Sequence, residues 1–281
     1  MPRFNRVTII GLGLIGGSVG LAVRRRRLAR EVVGFSRHPA TLRRAKARGA
    51  IDVGTTDWRE AVRESDLVIL ATPVDTIVPF ARRAARFMPD GGLITDVGSA
   101  KGTIVKALEG RLPRGIAFVG AHPLAGSEQR GIDAARHALF DGSVCLVTAT
   151  PRTNRQALRR IRAFWGRLAG RVLVMDPVRH DRLLAQASHL PHLLAFCLVG
   201  AAEPEALALA PRSFLDATRI AKSDPKLWES IFLSNRAQLV SAMRRFERQW
   251  VVLRTHLAWT DRAALHRLLV QAKSRRDALD S

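Results

Sequence analysis

Residues 6–20 read Arg6-Val-Thr-Ile-Ile-Gly11-Leu-Gly13-Leu-Ile-Gly16-Gly-Ser-Val-Gly20, and this stretch decides the fold. An apolar strand, Arg6–Ile10, runs straight into three spaced glycines and then into a helical stretch, Gly16–Arg27. Gly11 permits the tight turn, Gly13 lets backbone approach a pyrophosphate, and Gly16 lets the helix pack close to the strand. A helix N-terminus offers unpaired N–H groups to an anion. On this reading Gly11, Gly13, Leu14, Ile15 and Gly16 hold a dinucleotide.

Outward from that turn the same alternation repeats. Short runs rich in Val, Ile and Leu stand at Val32–Phe35, Leu67–Ala71, Leu93–Asp96, Ala117–Gly120, Val144–Thr148 and Val172–Met175. They do not alternate apolar with polar, as befits strands covered on both faces. Amphipathic segments lie between several of them, at Ala40–Arg48, Val74–Phe87, Lys101–Leu108 and Arg155–Leu168. Strand and helix in turn predict a doubly wound parallel sheet. After Asp176 the strand-like runs stop, and a helical pattern continues to Asp280. The expected organisation is a domain at 1–176 and an all-helical one at 177–281. The first helix of the second, about Val178 to Ala201, is apolar enough to require a core or a partner subunit.

Ligands in such sheets bind beyond the carboxyl ends of the strands, so the turns there are the candidate site. The second strand ends at Ser36-Arg37, where an acid would bind the ribose of NAD. A hydroxyl beside a guanidinium suits a 2′-phosphate, which favours NADP over NAD. Thr72-Pro73 and Thr95-Asp96-Val-Gly-Ser99-Ala-Lys101-Gly102 end later strands and face the cofactor. Ser99 and Lys101 also read as simple helix caps. His122, at a strand end and fixed by Pro123, titrates near neutrality and suits a base for a hydroxyl proton. In the long helix, Ser188-His189-Leu-Pro191-His192 sets Ser188 and His192 on one face and puts a disturbance at Pro191. The two histidines have a metal-like spacing, but no Cys or carboxylate cluster joins them and no metal is expected. Arg219 is able to clamp a carboxylate with two parallel bonds. Glu128 offers an acceptor to an ammonium, or a partner to Arg130 or another arginine. Ser188 and His192 offer donors to a keto oxygen.

Composition narrows the class. The chain has 281 residues, 47% hydrophobic and 25% charged, the balance of an ordinary globular protein. A membrane span takes about 20 apolar residues, and no run of that kind is read here, nor is a signal peptide. Cys145 and Cys197 lie in apolar runs and read as buried free thiols in a reducing cytoplasm. The formal net charge is +22, carried by 40 Arg and 6 Lys. Such a field attracts anions, and nucleic acid among them. The arginines are spread through nearly every segment, with Arg24–Arg27 the one run of four, so nucleic acid is not the expected partner.

The motifs GLGLIGGSVG, TDVGSAKG, GAHPLAGSEQRG, SHLPH and DATRIAKSDPKLWESIFLSN, in that order, resemble the prephenate/arogenate dehydrogenase family of tyrosine biosynthesis. The resemblance covers about residues 6 to 255, and the last three motifs are the specific ones. It implies a Rossmann-type N-terminal α/β domain and an all-α C-terminal domain that forms a homodimer. It also implies the monofunctional form, working in the cytoplasm with NADP or NAD on prephenate or arogenate. His122 matches the family's catalytic histidine and Ser99 the serine that supports it. Arg219 matches the arginine for the substrate carboxylate. Ser188 and His192 match helical pocket residues, and Ser127 and Glu128 match positions beside them. Two rival readings remain: a dehydrogenase of a modified prephenate in secondary metabolism, and a nucleotide-sensing protein that holds nucleic acid. His122 and Arg219 together argue against the latter.

Overall fold

The computed structural model describes residues 4–279. Six strands form one parallel sheet: β1 (Phe4–Ile10), β2 (Ala29–Phe35), β3 (Val53–Thr55), β4 (Leu67–Leu70), β5 (Leu93–Asp96) and β6 (Ala117–Val119). Their order is β3-β2-β1-β4-β5-β6. Ile9 of β1 stands between Gly34 of β2 and Ile69 of β4, and β4 is buried along its whole length. The order reverses direction between β1 and β4, which opens the crevice where such sheets bind ligands.

Helices cover both faces: α1 (Leu14–Arg25), α2 (Pro39–Ala47), α3 (Trp58–Val62), α4 (Val74–Ala85), α5 (Gly102–Leu108) and α6 (Arg155–Trp165). The amphipathic α6 buries Ala157, Ile161, Phe164 and Trp165. One core joins these to Val7, Ile9 and Val19, and a second gathers Phe35, Trp58, Leu70, Ile77 and Ile104.

The sheet departs from the expected one at its far edge. Ala117–Gly120 was expected as a single strand, but β6 stops at Val119 and the chain turns at Gly120. A three-residue strand, β7 (Ala121–Pro123), then joins a separate sheet with β8 (Val144–Thr148) and β9 (Arg171–Met175). β7 runs antiparallel to β8, and β8 parallel to β9. Gly120 has no room for a side chain, since a Cβ there would lie 2.6 Å from the Thr148 hydroxyl. The expected sixth and seventh strands of the main sheet therefore belong to a second sheet, and His122 sits mid-strand in it.

Beyond β9 all is helical: α7 (Pro177–Leu184), α8 (Leu190–Ala201), α9 (Pro204–Ala208), α10 (Arg212–Thr218) and α11 (Pro225–Ser234). Asp176 and Asp224 cap α7 and α11, and each helix opens on a proline, whose missing N–H costs nothing there. The expected disturbance at Pro191 is a π-helical turn, Ala185–His189, just before it. A proline ring collides with the carbonyl four residues back, and the widened turn relieves that. The run Pro177–Ala201 is 25 residues and, by length and composition alone, apolar enough to cross a membrane, which corrects the expectation that no such run exists. In α8 only Ala195 is buried, so Cys197 is exposed, not buried as expected; Cys145 is buried.

The chain divides into two compact units, one ending at Asn235 and one from Arg236 onward. The second is a helical hairpin of α12 (Arg236–Ala258) and α13 (Arg262–Asp277), with Asp261 capping α13. It exposes Trp250, Val251, Leu257, Trp259, Leu269 and Val270. The end of the expected helical region, residues 280–281, lies outside the described residues.

Candidate active site

The parallel sheet brings three turns to one edge. The first is Gly11–Gly16. Gly11 has φ +96°, and a Cβ on it would strike the Ala71 carbonyl oxygen at 2.4 Å. A Cβ on Gly16 would lie 1.9 Å from the Gly11 carbonyl oxygen. These two glycines are demanded by the protein itself. At Gly13, by contrast, a Cβ would meet no protein atom within 4 Å. Gly13 is also the N-cap of α1, which has no side-chain cap and no acid in its first turn. The helix end is thus unclaimed and open, which fits a dinucleotide's pyrophosphate. Leu14 is buried and Ile15 half-buried beneath this turn.

The second turn is Ala71-Thr72-Pro73, half-buried at Thr72, whose hydroxyl accepts from that of Thr76 at 2.8 Å. At the end of β2, the Ser36 hydroxyl accepts from the His38 amide at 3.2 Å. Arg37 is exposed, and no carboxylate among the described residues pairs with it.

The third turn follows β5 and holds what the sequence reading missed. Lys101 is fully buried, and its ammonium pairs with the buried Asp96. Asp96 also accepts from the amides of Gly98 at 2.9 Å and Ala121 at 3.3 Å, so it ties this turn to β7. Burial pulls the Lys101 pKa down, against the pull of Asp96. Lys101 was read as a cap for α5; instead Asp181, from α7, accepts from the amides of Lys101 and Gly102 at 2.8 Å each.

His122, next to Ala121 on β7, is buried and close enough to Lys101 to feel its charge. Its Nδ1 is 3.0 Å from Nε2 of His180, and Nδ1 of His180 is 2.8 Å from Oδ1 of Asp181. Burial holds the His122 pKa well below the usual histidine range, with His180, Lys101 and His189 adding to the effect. A neutral imidazole is the form that accepts a proton. Ser99 is half-buried in the same turn, and no hydrogen bond joins it to His122 among the described residues.

His189 is buried in the π turn, and its Nδ1 accepts from the Asn235 side-chain amide at 3.1 Å. Burial lowers its pKa to about 4, so the ring is neutral and its Nε2 carries the other hydrogen. A hydrogen bond with the Ser99 backbone also acts on this ring and partly opposes the effect of burial.

His192, one turn on, stacks on Trp228 with ring centroids 3.5 Å apart. Its Nδ1 donates to the Ser188 carbonyl at 2.9 Å. The expected donation from His192 to a keto oxygen therefore needs correction, because the neutral ring presents Nε2 as an acceptor. Ser188 is half-buried, while Ser127, Glu128 and Arg219 are exposed. Glu128 pairs with Arg219 at 3.7 Å, not with Arg130, which binds Asp224 at 2.8 Å. Two of the expected substrate groups thus meet each other across the loop after β7.

Asp96, Lys101, His180, Asp181 and Asn235 carry no recognisable spacing. Asp96 and Lys101 pair within the turn after β5, His180 and Asp181 join them because α7 docks on the start of α5, and Asn235 reaches Asp181 and His189 from the end of α11. Asp96 and Lys101 did lie in a motif singled out for its place at a strand end, which was the available signal.

Two family profiles match in sequence. The nucleotide-binding domain of prephenate dehydrogenase matches residues 19–174, and its dimerization domain matches residues 176–271. A cyclohexadienyl dehydrogenase of Zymomonas mobilis is 35% identical over 93% of this chain and 91% of its own. A prephenate dehydrogenase of Bacillus subtilis is 32% identical over 98% of this chain and 76% of its own. The crystal structure of prephenate dehydrogenase from A. aeolicus, in complex with hydroxyphenyl propionate and NAD+, is 33% identical, covers 98% of both chains and superposes with a TM-score of 0.91. An arogenate dehydrogenase of Synechocystis is 27% identical, with 98% and 99% coverage and a TM-score of 0.82. An open glycine turn and a buried neutral histidine accord with what the profiles over residues 19–174 and 176–271 and the 35% identical relative show: this protein is a member of the prephenate dehydrogenase family, an oxidoreductase.

Proposed function

We propose that the chain oxidatively decarboxylates prephenate to 4-hydroxyphenylpyruvate and carbon dioxide, with arogenate as a second substrate yielding tyrosine. The observation that carries the reading is His122: buried, neutral, and on β7, whose Ala121 amide is tied by Asp96 to the carboxyl end of β5 in the sheet that also presents the open Gly13 turn. Bound NAD or NADP supplies the hydride acceptor. Nε2 of His122 takes the proton of the ring 4-hydroxyl as the carbinol carbon is oxidised, and returns it to the phenolic oxygen once the carboxylate has left. Ser99 orients the same hydroxyl. Arg219 clamps the side-chain carboxylate, with Ser127 and Glu128 at the rim and Ser188 and His192 along the wall. Loss of carbon dioxide yields an aromatic ring, so the protein has only to orient, remove water and manage one proton.

Gly11, Gly13, Leu14, Ile15, Gly16, Thr72 and Pro73 hold the dinucleotide, and Ser36 with Arg37 receive a 2′-phosphate. The unpaired Arg37 and the missing acid at Ser36 support NADP over NAD. The Aquifex enzyme was crystallised with NAD+, so use of either nucleotide is compatible with the family. Arogenate is retained as a substrate because the acceptor Nε2 of His192 suits an ammonium. The same reading takes the chain as a cytoplasmic homodimer built through its helical region, in keeping with the dimerization profile and the exposed apolar side chains there.

The test is turnover by the purified protein on prephenate and on arogenate, each with NAD+ and with NADP+. Reduced nicotinamide and 4-hydroxyphenylpyruvate should appear together with prephenate, fastest with NADP+. Absence of reduced nicotinamide with all four pairs would remove the proposal.

A further inference from the structure

An imidazole has two nitrogens, and a base must present the bare one. Which nitrogen of His122 is bare is decided behind it, by groups that do not reach the substrate side. The chain of bonds starts at Asp181. Its carboxylate accepts from the amides of Lys101 and Gly102 and lies against His180. Burial alone would raise the Asp181 pKa, but these bonds outweigh it and hold the group ionised. An ionised carboxylate only accepts. The proton between Asp181 and His180 therefore sits on Nδ1 of His180.

His180 is fully buried, and burial lowers its pKa despite the carboxylate beside it. In the neutral ring one nitrogen donates and the other accepts. With Nδ1 donating, Nε2 of His180 must accept, and the group it faces at 3.0 Å is Nδ1 of His122. His122 must then donate from Nδ1. Its own Nε2 is left with a lone pair, and none of the hydrogen bonds among the described residues reaches it.

We infer that His180 and Asp181 are positioning residues that lock His122 in its Nδ1–H tautomer, so that Nε2 meets the substrate hydroxyl as an acceptor. The inference rests on the reading of His122 as the base. In the opposite tautomer His122 would offer the hydroxyl an N–H and have no lone pair to take its proton. When Nε2 does take the proton, the O–H bond breaks, an N–H bond forms, and the ring becomes a cation. The lone pair of His180 and, behind it, the charge of Asp181 face that cation. Lys101 opposes that cation even though its ammonium is turned onto Asp96, and the lone pair of His180 and the charge of Asp181 work against it. The arrangement follows the logic by which a buried carboxylate fixes the tautomer of a catalytic histidine in hydrolases, with a second histidine inserted as a spacer.

The test uses the full chain with ¹⁵N-labelled histidine, the His122 signals being assigned by their loss in His122→Asn. In the wild type, Nδ1 of His122 should be the proton-bearing nitrogen from pH 6 to 8. In His180→Phe the lock is removed, so the Nε2–H form should appear. There kcat should fall about 10²-fold or more, within the range that a general base contributes, while KM for both substrates changes little. His180→Gln, whose amide oxygen can accept from Nδ1, should recover part of the loss. A wild-type His122 protonated on Nε2 would overturn the proposal, even if His180→Phe did not fold. So would an unchanged tautomer and kcat in His180→Phe. Loss of turnover in His122→Asn alongside an unchanged His180→Phe would remove the lock and leave the base standing. Full turnover in His122→Asn would remove the base itself.

Discussion

Replacing Gly13 with Ala separates what the protein needs from what the dinucleotide needs. Gly13 has φ −85° and ψ −159°, a conformation open to any residue, and its new Cβ would meet no protein atom within 4 Å. Two small terms remain. Alanine is a poorer N-cap than glycine by about 0.5–1 kcal/mol. Against this, stiffening the unfolded chain stabilises by about 0.4–1 kcal/mol. The sum is near zero, so Tm should move by no more than about 2 °C. The methyl does project where a pyrophosphate would approach. Overpacking costs about 1–3 kcal/mol, which weakens dinucleotide binding about 5- to 150-fold. Fluorescence titration with NADP+ and NAD+, beside a thermal melt, measures both. Gly11→Ala is the contrast: with φ +96° and a contact at 2.4 Å it should destabilise the fold itself. A Gly13→Ala protein that binds both nucleotides as well as the wild type would refute the claim that the cofactor descends on this turn.

Arg219→Ala should raise KM for prephenate sharply with an unchanged melt, and Lys should restore little because it lacks the planar fork; an unchanged KM in steady-state assays would leave Arg219 as a surface partner of Glu128. Ser36→Asp should move the kcat/KM ratio toward NAD, because a carboxylate there repels a 2′-phosphate; an unmoved ratio would mean that Arg37 and Ser36 do not read the ribose. His189 has a folded pKa of about 4 against an ordinary 6.5, so the unfolded state takes up a proton first as pH falls. Its contribution to stability should hold above pH 6.5 and decline by up to about 3 kcal/mol toward pH 4. Denaturant melts of wild type and His189→Asn across that window should converge at low pH, and parallel curves would contradict the burial argument.

How much of this was legible beforehand depends on the range of the interaction. The first turn was readable because strand, glycines and helix are contiguous from Arg6 to Gly20. The parallel sheet was readable because each buried strand announces itself as a short Val, Ile and Leu run. The second sheet was not, since it depends on Gly120 packing against Thr148, 28 residues away, whose amide and hydroxyl donate to the Gly120 carbonyl where a side chain would not fit. His122 was found from its neighbours Pro123 and Gly126, while its partner His180 was not. Nothing in the stretch Pro177-Val-Arg-His180-Asp181 distinguishes it from an ordinary helix start until α7 docks on α5. Lys101 looked like a cap only from its place at a helix start; its side chain has no acceptor for the first helical amides and turns instead onto Asp96, five residues back. Glu128 reads as a partner of Arg130 or of another arginine, and the arginine it meets is Arg219, 91 residues on and so not legible from its neighbours.

The central claim is that a neutral His122 takes the hydroxyl proton while a dinucleotide bound at the Gly13 turn receives hydride. The most direct test is the single-turnover rate of nicotinamide reduction by prephenate, for wild type and His122→Asn each saturated with dinucleotide. The account predicts a rate lower by a factor of about 10² to 10⁴ in the variant, with unchanged dinucleotide affinity. Equal rates in the two proteins would contradict it.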